Sequence, residues 1–202
     1  MRDPITEWLY KTLQLDLPHL ESLDEYVDFI LPRVAGFSED LYEQEFYTEK
    51  PWLEVRDDEN FLDEILHIFK KPDKDFDIKT RNEDEGPDYL VSTDGNVRKG
   101  VWTYLQGQSS NIILIKTDAK FELYKKVFIN ADFFILKKHG NKHLSGKQRK
   151  YFFMARENRV KGMEWREIME VLFNIYRNRL SYIGFIAAMG VIIAIILFFS
   201  LR

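Results

Sequence analysis

Two histidines four positions apart, His139 and His143, are the residues whose type and spacing first suggest chemistry. On one face of a helix, a histidine pair at this spacing can ligate a metal ion. However, Gly140-Asn141 between them favours a turn, and the flanking lysines would repel a cation. Solvated loop histidines are the alternative interpretation. A third histidine, His67, lies between apolar residues and fits a core or edge-strand position.

Carboxylates form three dense groups in the first half of the chain. Paired carboxylates can act in acid–base catalysis or bind divalent ions. The calcium-loop spacing is not met after Asp73, because Phe76 and Ile78 intervene and no glycine follows. Solvated loop charge is the alternative. The groups are Asp57, Asp58, Glu59, Asp63 and Glu64, then Asp73, Asp75 and Asp77, then Glu83, Asp84 and Glu85.

The familiar signatures of catalysis and nucleotide binding are missing from the sequence. It contains no GxSxG, Walker, HExxH or Rossmann pattern. It also contains no cysteine, which excludes disulfides, thiolate zinc sites, iron–sulfur clusters and cysteine nucleophiles. The sequence therefore predicts no catalytic residue, no metal and no cofactor, and whether the protein is an enzyme stays open.

The net charge of −4 conceals a strong asymmetry along the chain. Residues 1–96 hold 26 acidic and 10 basic residues, whereas residues 97–202 hold 7 and 19. The basic half could lie against anionic lipid headgroups, or it could pair with the acidic half of its own domain. Nucleic acid is not expected as a partner, because no base-reading motif accompanies the charge. The predicted lipid-contacting residues are Lys147, Arg149, Lys150, Arg159, Lys161, Arg177 and Arg179.

The pattern of apolar residues, turns and caps along the chain predicts an α+β fold. It begins with a helical segment over 1–46. Asp3-Pro4 is a cap followed by a first-turn proline. A second helix is predicted from about Leu20, since its apolar residues recur every three or four positions, and Pro32 and Gly36 end it. Ser38 is a good N-cap for a third, shorter helix.

Residues 47–160 predict a β-rich domain. Short alternating segments separated by turns indicate an antiparallel meander of about seven strands, either an open sheet or a small barrel. Asp94-Gly95-Asn96 is a strong hairpin signal. The next strand places Trp102 and Tyr104 on one face. The apolar stretch over 61–69 fits either a helix or a strand. We interpret it as a strand over 65–70, because its neighbours are strands.

The chain returns to helix in its last forty residues. Residues 163–180 predict an amphipathic helix, and 181–201 read SYIGFIAAMGVIIAIILFFSL with no charged side chain. No Pro or Gly separates the two stretches, so we expect one continuous helix from about residue 164 to residue 201. About 20 apolar residues span a bilayer core as a helix. Only Arg202 follows, and the N-terminus offers no signal peptide. These features predict a single-pass tail anchor with the bulk of the chain cytoplasmic, in a bacterial inner membrane.

Small residues recur within the predicted span. Small residues four positions apart let helices approach closely and associate in lipid. We therefore expect membrane lipids, together with a second copy or another protein, as partners of the span and the helix before it. The predicted helix–helix contact face consists of Gly184, Ala187, Ala188, Gly190 and Ala194.

The β region also carries a pattern of turn formers and core aromatics. The pattern comprises Tyr47-Thr48-Glu49-Lys50-Pro51-Trp52, Leu66-His67-Ile68-Phe69, Ser92-Thr93-Asp94-Gly95-Asn96-Val97, Gly100-Val101-Trp102-Thr103-Tyr104-Leu105, Ile112-Ile113-Leu114-Ile115 and residues 127–137. Over about residues 47–157 the chain resembles a family of uncharacterised bacterial proteins with a GxW-type strand meander. That family has no established activity, so the resemblance implies the strand meander and no mechanism.

Three hypotheses of function follow. The first is a non-enzymatic, tail-anchored protein whose cytosolic β domain binds a partner or a small ligand, or serves as a scaffold. The second is a membrane-acting effector of a bacterial defence or stress system, which oligomerises through its span. The third is a membrane-tethered enzyme that uses the acidic loops with His139 and His143.

Overall fold

The computed structural model describes residues 16–58, 64–72, 86–104, 111–118, 120–139 and 149–200. Within these ranges the chain forms a closed antiparallel barrel of eight strands together with three α-helices. The predicted α+β class and antiparallel meander are confirmed, and the choice between sheet and barrel is decided for the barrel. The helix predicted to start at Asp3-Pro4 lies outside the described residues.

Each strand of the barrel pairs antiparallel with the next one in the chain. The last strand then pairs with the first, with Trp52 opposite Arg156, and this pairing closes the barrel. The count is eight strands rather than about seven, and the strand predicted over 65–70 is present. The strands are β1 Pro51–Glu54, β2 Ile65–Phe69, β3 Asp88–Thr93, β4 Asn96–Tyr104, β5 Ile112–Thr117, β6 Lys120–Ile129, β7 Phe133–Lys138 and β8 Tyr151–Arg156.

The hairpin between β3 and β4 shows how local sequence sets the register. Asp94 and Gly95 both have positive φ angles, 50° and 81°, as a two-residue turn of this kind requires. Trp102 and Tyr104 then face the barrel interior, as their spacing predicted, because successive side chains alternate between the two faces of a strand.

The barrel interior forms one of two hydrophobic cores. It is rich in aromatic rings, which bury a large apolar area each. Tyr47, from the segment before β1, is fully buried among them. The interior core comprises Tyr47, Trp52, Phe69, Tyr89, Val91, Trp102, Tyr104, Ile113, Ile115, Tyr124, Ile129, Phe134, Leu136 and Met154.

The second core lies between the outer face of the barrel and the helices. These helices are α1 Leu23–Val34, α2 Glu157–Val160 and α3 Trp165–Ser200. Because β-strands alternate, the same three strands β6 to β8 supply both cores. The barrel side of this core consists of Val55, Phe128, Phe133, Ile135, Tyr151, Phe153 and Ala155, and α1 and α3 cover it with residues that include Val27, Ile30, Met169, Leu172 and Phe173.

The N-terminal helices differ in part from their prediction. Ser22 caps α1, since its side chain accepts a hydrogen bond from the backbone N–H of Glu25. Pro32 lies inside the last turn of α1, and the helix ends at Val34, between the two predicted end residues Pro32 and Gly36. No α-helix begins at Ser38 in the described part of this segment. The backbone N–H of Ile129 instead donates to the Ser38 hydroxyl, at 3.1 Å, which ties residue 38 to the end of β6.

α3 is one continuous helix, as predicted, but the membrane anchor is contradicted. Among the described residues, no helix has both the length and the apolar character that crossing a membrane requires. Three predictions are therefore wrong: the transmembrane span over 181–201, the tail-anchored single-pass topology and the inner-membrane localisation.

This correction removes the membrane attachment from all three hypotheses of function, including the membrane-acting effector.

The five small residues of the predicted contact face, Gly184, Ala187, Ala188, Gly190 and Ala194, lie within α3. A β-carbon at Gly184 or Gly190 would meet no atom within 4 Å. Helix–helix contact at this face stays a prediction, and so does the division of the chain at 46, 160 and 180.

Candidate ligand-binding cavity

The two ends of the barrel differ in how they are filled. One end is closed by packed aromatic rings, with Tyr47 stacked on Phe134 at 5.0 Å and set edge-on to Trp102 at 5.7 Å between ring centroids. The indole N–H of Trp52 donates to the Tyr47 carbonyl oxygen, at 2.9 Å, and so fixes this segment in place. These contacts leave the opposite end as the place where a ligand could enter.

A cavity of about 850 Å³ lies at the opposite end of the barrel. This end carries the connections that follow β1, β3, β5 and β7. The apolar part of the wall comes from inward-facing positions of several strands, namely Ile65, Val91, Ile115 and Phe152. The polar part of the wall comes from two hydrogen-bonded chains of side chains, each of which contains one carboxylate.

The first chain joins Glu54, His67 and Tyr89, which lie on three consecutive strands. His67 Nε2 lies 3.1 Å from Glu54 Oε2, and the Tyr89 hydroxyl lies 2.6 Å from His67 Nδ1. Because a carboxylate only accepts hydrogen bonds, Nε2 carries a proton and donates to Glu54. In the neutral ring Nδ1 then accepts from the Tyr89 hydroxyl. His67 and Tyr89 are both buried, at 5% and 3% exposure.

The pKa values of this chain follow from its burial and its charges. Burial raises the pKa of Glu54. The hydrogen bond from His67 and the charges of Arg149 and Arg56 outweigh this effect and hold the pKa of Glu54 below its ordinary value. Burial, with the nearby charges of Glu54 and Glu122, raises the pKa of Tyr89 well above its ordinary value. At neutral pH the chain therefore consists of a carboxylate and a protonated phenol.

The second chain joins Tyr124, Glu122 and Lys138 across β6 and β7. The Tyr124 hydroxyl donates to Glu122 Oε2 at 2.7 Å, and the Lys138 ammonium donates to Glu122 Oε1. Burial raises the pKa of Tyr124, and the charge of Glu122 raises it further. The Phe152 ring lies 5.5 Å from Tyr124 and 4.9 Å from His67, so it bridges the two chains.

Arg149 connects the cavity to the acidic segment after β1. Its guanidinium lies 3.2 Å from Glu54 Oε1, 3.7 Å from Asp57 Oδ1 and in contact with Asp58. Asp57 in turn accepts a hydrogen bond from the backbone N–H of Leu23, at 2.8 Å, at the start of α1. Arg149 was a candidate for lipid contact, and Asp57 and Asp58 were candidates for acid–base chemistry. The three side chains meet in one ion cluster at the cavity rim.

The other basic residues predicted to contact lipid also lie near groups of their own chain. Among these residues Lys150 pairs with a carboxylate of the acidic half, as Arg149 does, whereas the partners of Arg159, Lys161 and Arg177 belong to the basic half itself. Lipid contact stays a prediction. Lys147 lies outside the described residues. The contacts are Lys150 with Asp28, Arg159 with Asp132, Lys161 with Glu157, Arg177 with Glu170, and Arg179 over the Phe37 ring.

The described residues include one histidine of the candidate metal pair. His139 is exposed and lines the cavity mouth, whereas His143 lies outside the described part. Over the described ranges, no cluster of three or more histidine and carboxylate side chains could hold a metal ion. Among the acidic candidates, Glu64 is exposed, and Glu59, Asp63 and those of the second and third groups lie outside the described ranges.

One buried cation was missed by sequence reasoning altogether. Lys126 is 1% exposed, and its ammonium lies 4.9 Å, 5.3 Å and 5.9 Å from the ring centroids of Tyr104, Tyr47 and Tyr42. Its Nζ has no hydrogen-bond partner among the described residues. Burial lowers the pKa of Lys126 to about 8, against a smaller opposing effect of Asp40. The aromatic faces supply its stabilisation instead of an ion pair.

His67 was predicted at a core or edge-strand position and is buried within β2, but the other polar residues of the cavity were missed, although a signal for them exists. Glu54, His67, Glu122 and Lys138 each occupy an inward position of a strand where an apolar residue is expected. A polar residue in phase with a strand's buried face is unusual unless it is paired. Such positions on several strands indicate a polar interior.

No family model matches the chain, and no curated protein and no solved structure is significantly similar to it. The resemblance to the GxW-type family stays a prediction.

Proposed function

We propose that the protein binds a small organic molecule in the cavity at the open end of its barrel. The observation that carries this proposal is the cavity itself, with about 850 Å³ enclosed by strands whose other end is filled with rings. This volume falls within the range of about 300–1,000 Å³ typical of small-molecule sites. The proposal keeps the ligand-binding part of the first hypothesis and leaves its anchor out.

The composition of the wall supports the proposal. Small-molecule sites combine apolar and aromatic surface with a few polar groups that fix orientation. Here Val91, Ile115 and Phe152 supply the apolar surface, and the two carboxylate chains supply the polar groups. Each chain is held by hydrogen bonds between strands, so its geometry exists before a ligand arrives and less ordering is needed on binding.

A cavity-filling substitution tests the proposal. Val91 is 8% exposed and faces the cavity, so Val91→Trp should place an indole ring against the apolar patch where the body of a ligand would lie. Val97 is 65% exposed outside the cavity, and Val97→Trp is the matched control. The full chain is screened against a set of one- and two-ring compounds of all charge types by ligand-observed NMR.

The expected result is that a subset of compounds binds the wild type and Val97→Trp but loses binding to Val91→Trp. Near-ultraviolet circular dichroism checks that both variants keep their tertiary structure. Binding that survives Val91→Trp unchanged, or a screen without any bound compound, would contradict the proposal.

A further inference from the structure

We infer that the cavity selects organic anions, meaning a carboxylate or comparable acidic group on an apolar body. This inference rests on the proposed function, because it names the ligand class for the same cavity. It follows from the hydrogen-bonding capacity that the wall groups retain after they have satisfied one another.

The two carboxylates of the hydrogen-bonded chains each already face a cation of the protein. Glu54 uses Oε2 for His67 and Oε1 for Arg149. Glu122 uses Oε1 for Lys138 and Oε2 for Tyr124. Each oxygen has a second lone pair, but a cationic ligand that used it would stand beside the Arg149 guanidinium at Glu54 or the Lys138 ammonium at Glu122, where like charges repel.

The donors of the wall keep capacity to spare. An ammonium carries three N–H donors and a guanidinium carries five. The Lys138 ammonium makes one hydrogen bond within the described residues, to Glu122, and its side chain is 27% exposed towards the cavity. Arg98 lies opposite Val91 in the β3–β4 register and also lines the cavity. An acidic group accepts such charge-assisted hydrogen bonds well.

The charges of the wall favour the same ligand. Four cations line the cavity against three carboxylates. Two of the cations, Lys99 and Arg149, also pair with Asp88, Asp57 and Asp58, so a bound anion would be attracted mainly by Arg98 and Lys138. The apolar patch formed by Ile65, Val91, Ile115 and Phe152 would receive the rest of the molecule. The cations are Arg98, Lys99, Lys138 and Arg149, and the carboxylates are Glu54, Asp118 and Glu122.

The test uses three probes that share one ring system and differ in charge. They are naphthalene-2-carboxylate, 2-naphthalenemethanol and 2-naphthylmethylammonium, titrated into the full chain by calorimetry at pH 7. We expect the carboxylate to bind at least about ten-fold more tightly than the other two, since its hydrogen bonds are charge-assisted. Val91→Trp should abolish this binding, which places it in the cavity rather than on the exposed part of α3.

Two variants at the second chain then test its role. Lys138→Met removes the spare donors and should abolish the preference for the carboxylate. Lys137→Met, one position away on the exposed face of β7, should leave it unchanged. Glu122→Gln weakens the internal competitor for the Lys138 ammonium and should tighten carboxylate binding. Because Glu122→Gln acts in the opposite direction, misfolding of Lys138→Met cannot account for both results.

The outcomes separate the two proposals. If the alcohol or the ammonium binds best and Val91→Trp abolishes its binding, the cavity binds small molecules but the anion inference is overturned. If none of the three probes binds in a manner that Val91→Trp abolishes, the result counts against both. An unchanged preference in Lys138→Met together with an unchanged affinity in Glu122→Gln would overturn the inference alone.

Discussion

Gly100 lies so close to Lys116 on the neighbouring strand that a β-carbon at position 100 would stand 2.4 Å from the Lys116 carbonyl oxygen. Real β-carbons do not approach backbone atoms this closely, so only glycine fits where β4 and β5 meet. Two positions on, Trp102 fills the barrel interior with 1% of its surface exposed. In the Gly100-Val101-Trp102 motif, the glycine thus permits close strand approach and the tryptophan supplies the core.

Replacing this glycine should therefore destabilise the barrel. Gly100→Ala forces β4 away from the Lys116 carbonyl, and we expect a loss of about 1–3 kcal/mol in the free energy of unfolding, as for overpacked cores. Urea denaturation measures it. Gly36→Ala is the control, because a β-carbon there meets no atom within 4 Å. Equal effects of the two substitutions would show that the strand contact is not as close as described.

The buried ammonium of Lys126 should lower the stability of the protein at neutral pH. Lys126→Met removes the charge and keeps most of the volume, and we expect it to raise the free energy of unfolding at pH 7 by about 1 kcal/mol. The gain is small because the tyrosine rings already stabilise the cation. Lys125→Met, on the exposed neighbouring residue, should have no such effect.

The lowered pKa of Lys126 also predicts that the free energy of unfolding depends on pH. The pKa of Lys126 is about 8 in the folded protein and higher in the unfolded chain, so the unfolded state binds more protons above about pH 8. The free energy of unfolding should therefore rise from pH 8 to about pH 9.5 in the wild type. Denaturation of Lys126→Met across that window should lack the rise, and a wild type without it would contradict the buried, unpaired position.

Glu54 should stabilise the fold only while it is ionised. Its folded pKa lies below the ordinary value, so its contribution is present above the unfolded pKa and is lost as the pH falls through the folded pKa. We expect Glu54→Gln to destabilise the protein by about 2 kcal/mol at pH 7, since hydrogen bonds to a charged group are lost. The difference from the wild type should shrink below pH 4.

Glu39→Gln is the control for Glu54→Gln. Glu39 is exposed, and the substitution should leave the stability and its pH dependence near those of the wild type. Thermal unfolding followed by circular dichroism at pH 7, 5 and 3 gives the comparison. A constant difference between Glu54→Gln and the wild type at all three pH values would show that the ionisation of Glu54 is not involved.

Two phenylalanines on α3 should respond very differently to truncation. Phe173 is fully buried against the barrel, whereas Phe199 is 71% exposed. We expect Phe173→Ala to lower the free energy of unfolding by about 3–5 kcal/mol and Phe199→Ala to change it by under about 0.5 kcal/mol. Urea denaturation of both variants makes the comparison. A large effect of Phe199→Ala would mean that this end of the helix is packed in the folded molecule.

Several elements could be predicted from the sequence because their signals are local. Asp94-Gly95 supplies the backbone conformation of a tight turn, and alternation places Trp102 and Tyr104 on one face of β4. The third N-terminal helix could not be predicted correctly, since Ser38 hydrogen-bonds to Ile129, 91 residues away, instead of capping a helix. A cap signal has no effect when a distant partner takes the same hydroxyl.

The predicted membrane anchor was wrong for a different reason. Uninterrupted hydropathy over 181–201 favoured a span, but among the described residues no helix has the length and apolar character that a span requires. The helix itself was predicted correctly, from about residue 164 to residue 201, and is observed from Trp165 to Ser200. Helical periodicity and the lack of Pro or Gly before the apolar stretch are local properties, so the element could be predicted although its role could not.

By itself, the sequence determined the secondary structure of the barrel and its antiparallel order, because turns and alternation act between neighbouring residues. Only the tertiary structure decided that β1 pairs with β8, which turns a meander into a closed barrel. That closure brings Arg149 to Glu54, 95 residues apart, and strand register sets Glu54 against His67. The cavity depends on these long-range pairings, and no local pattern in the sequence specifies them.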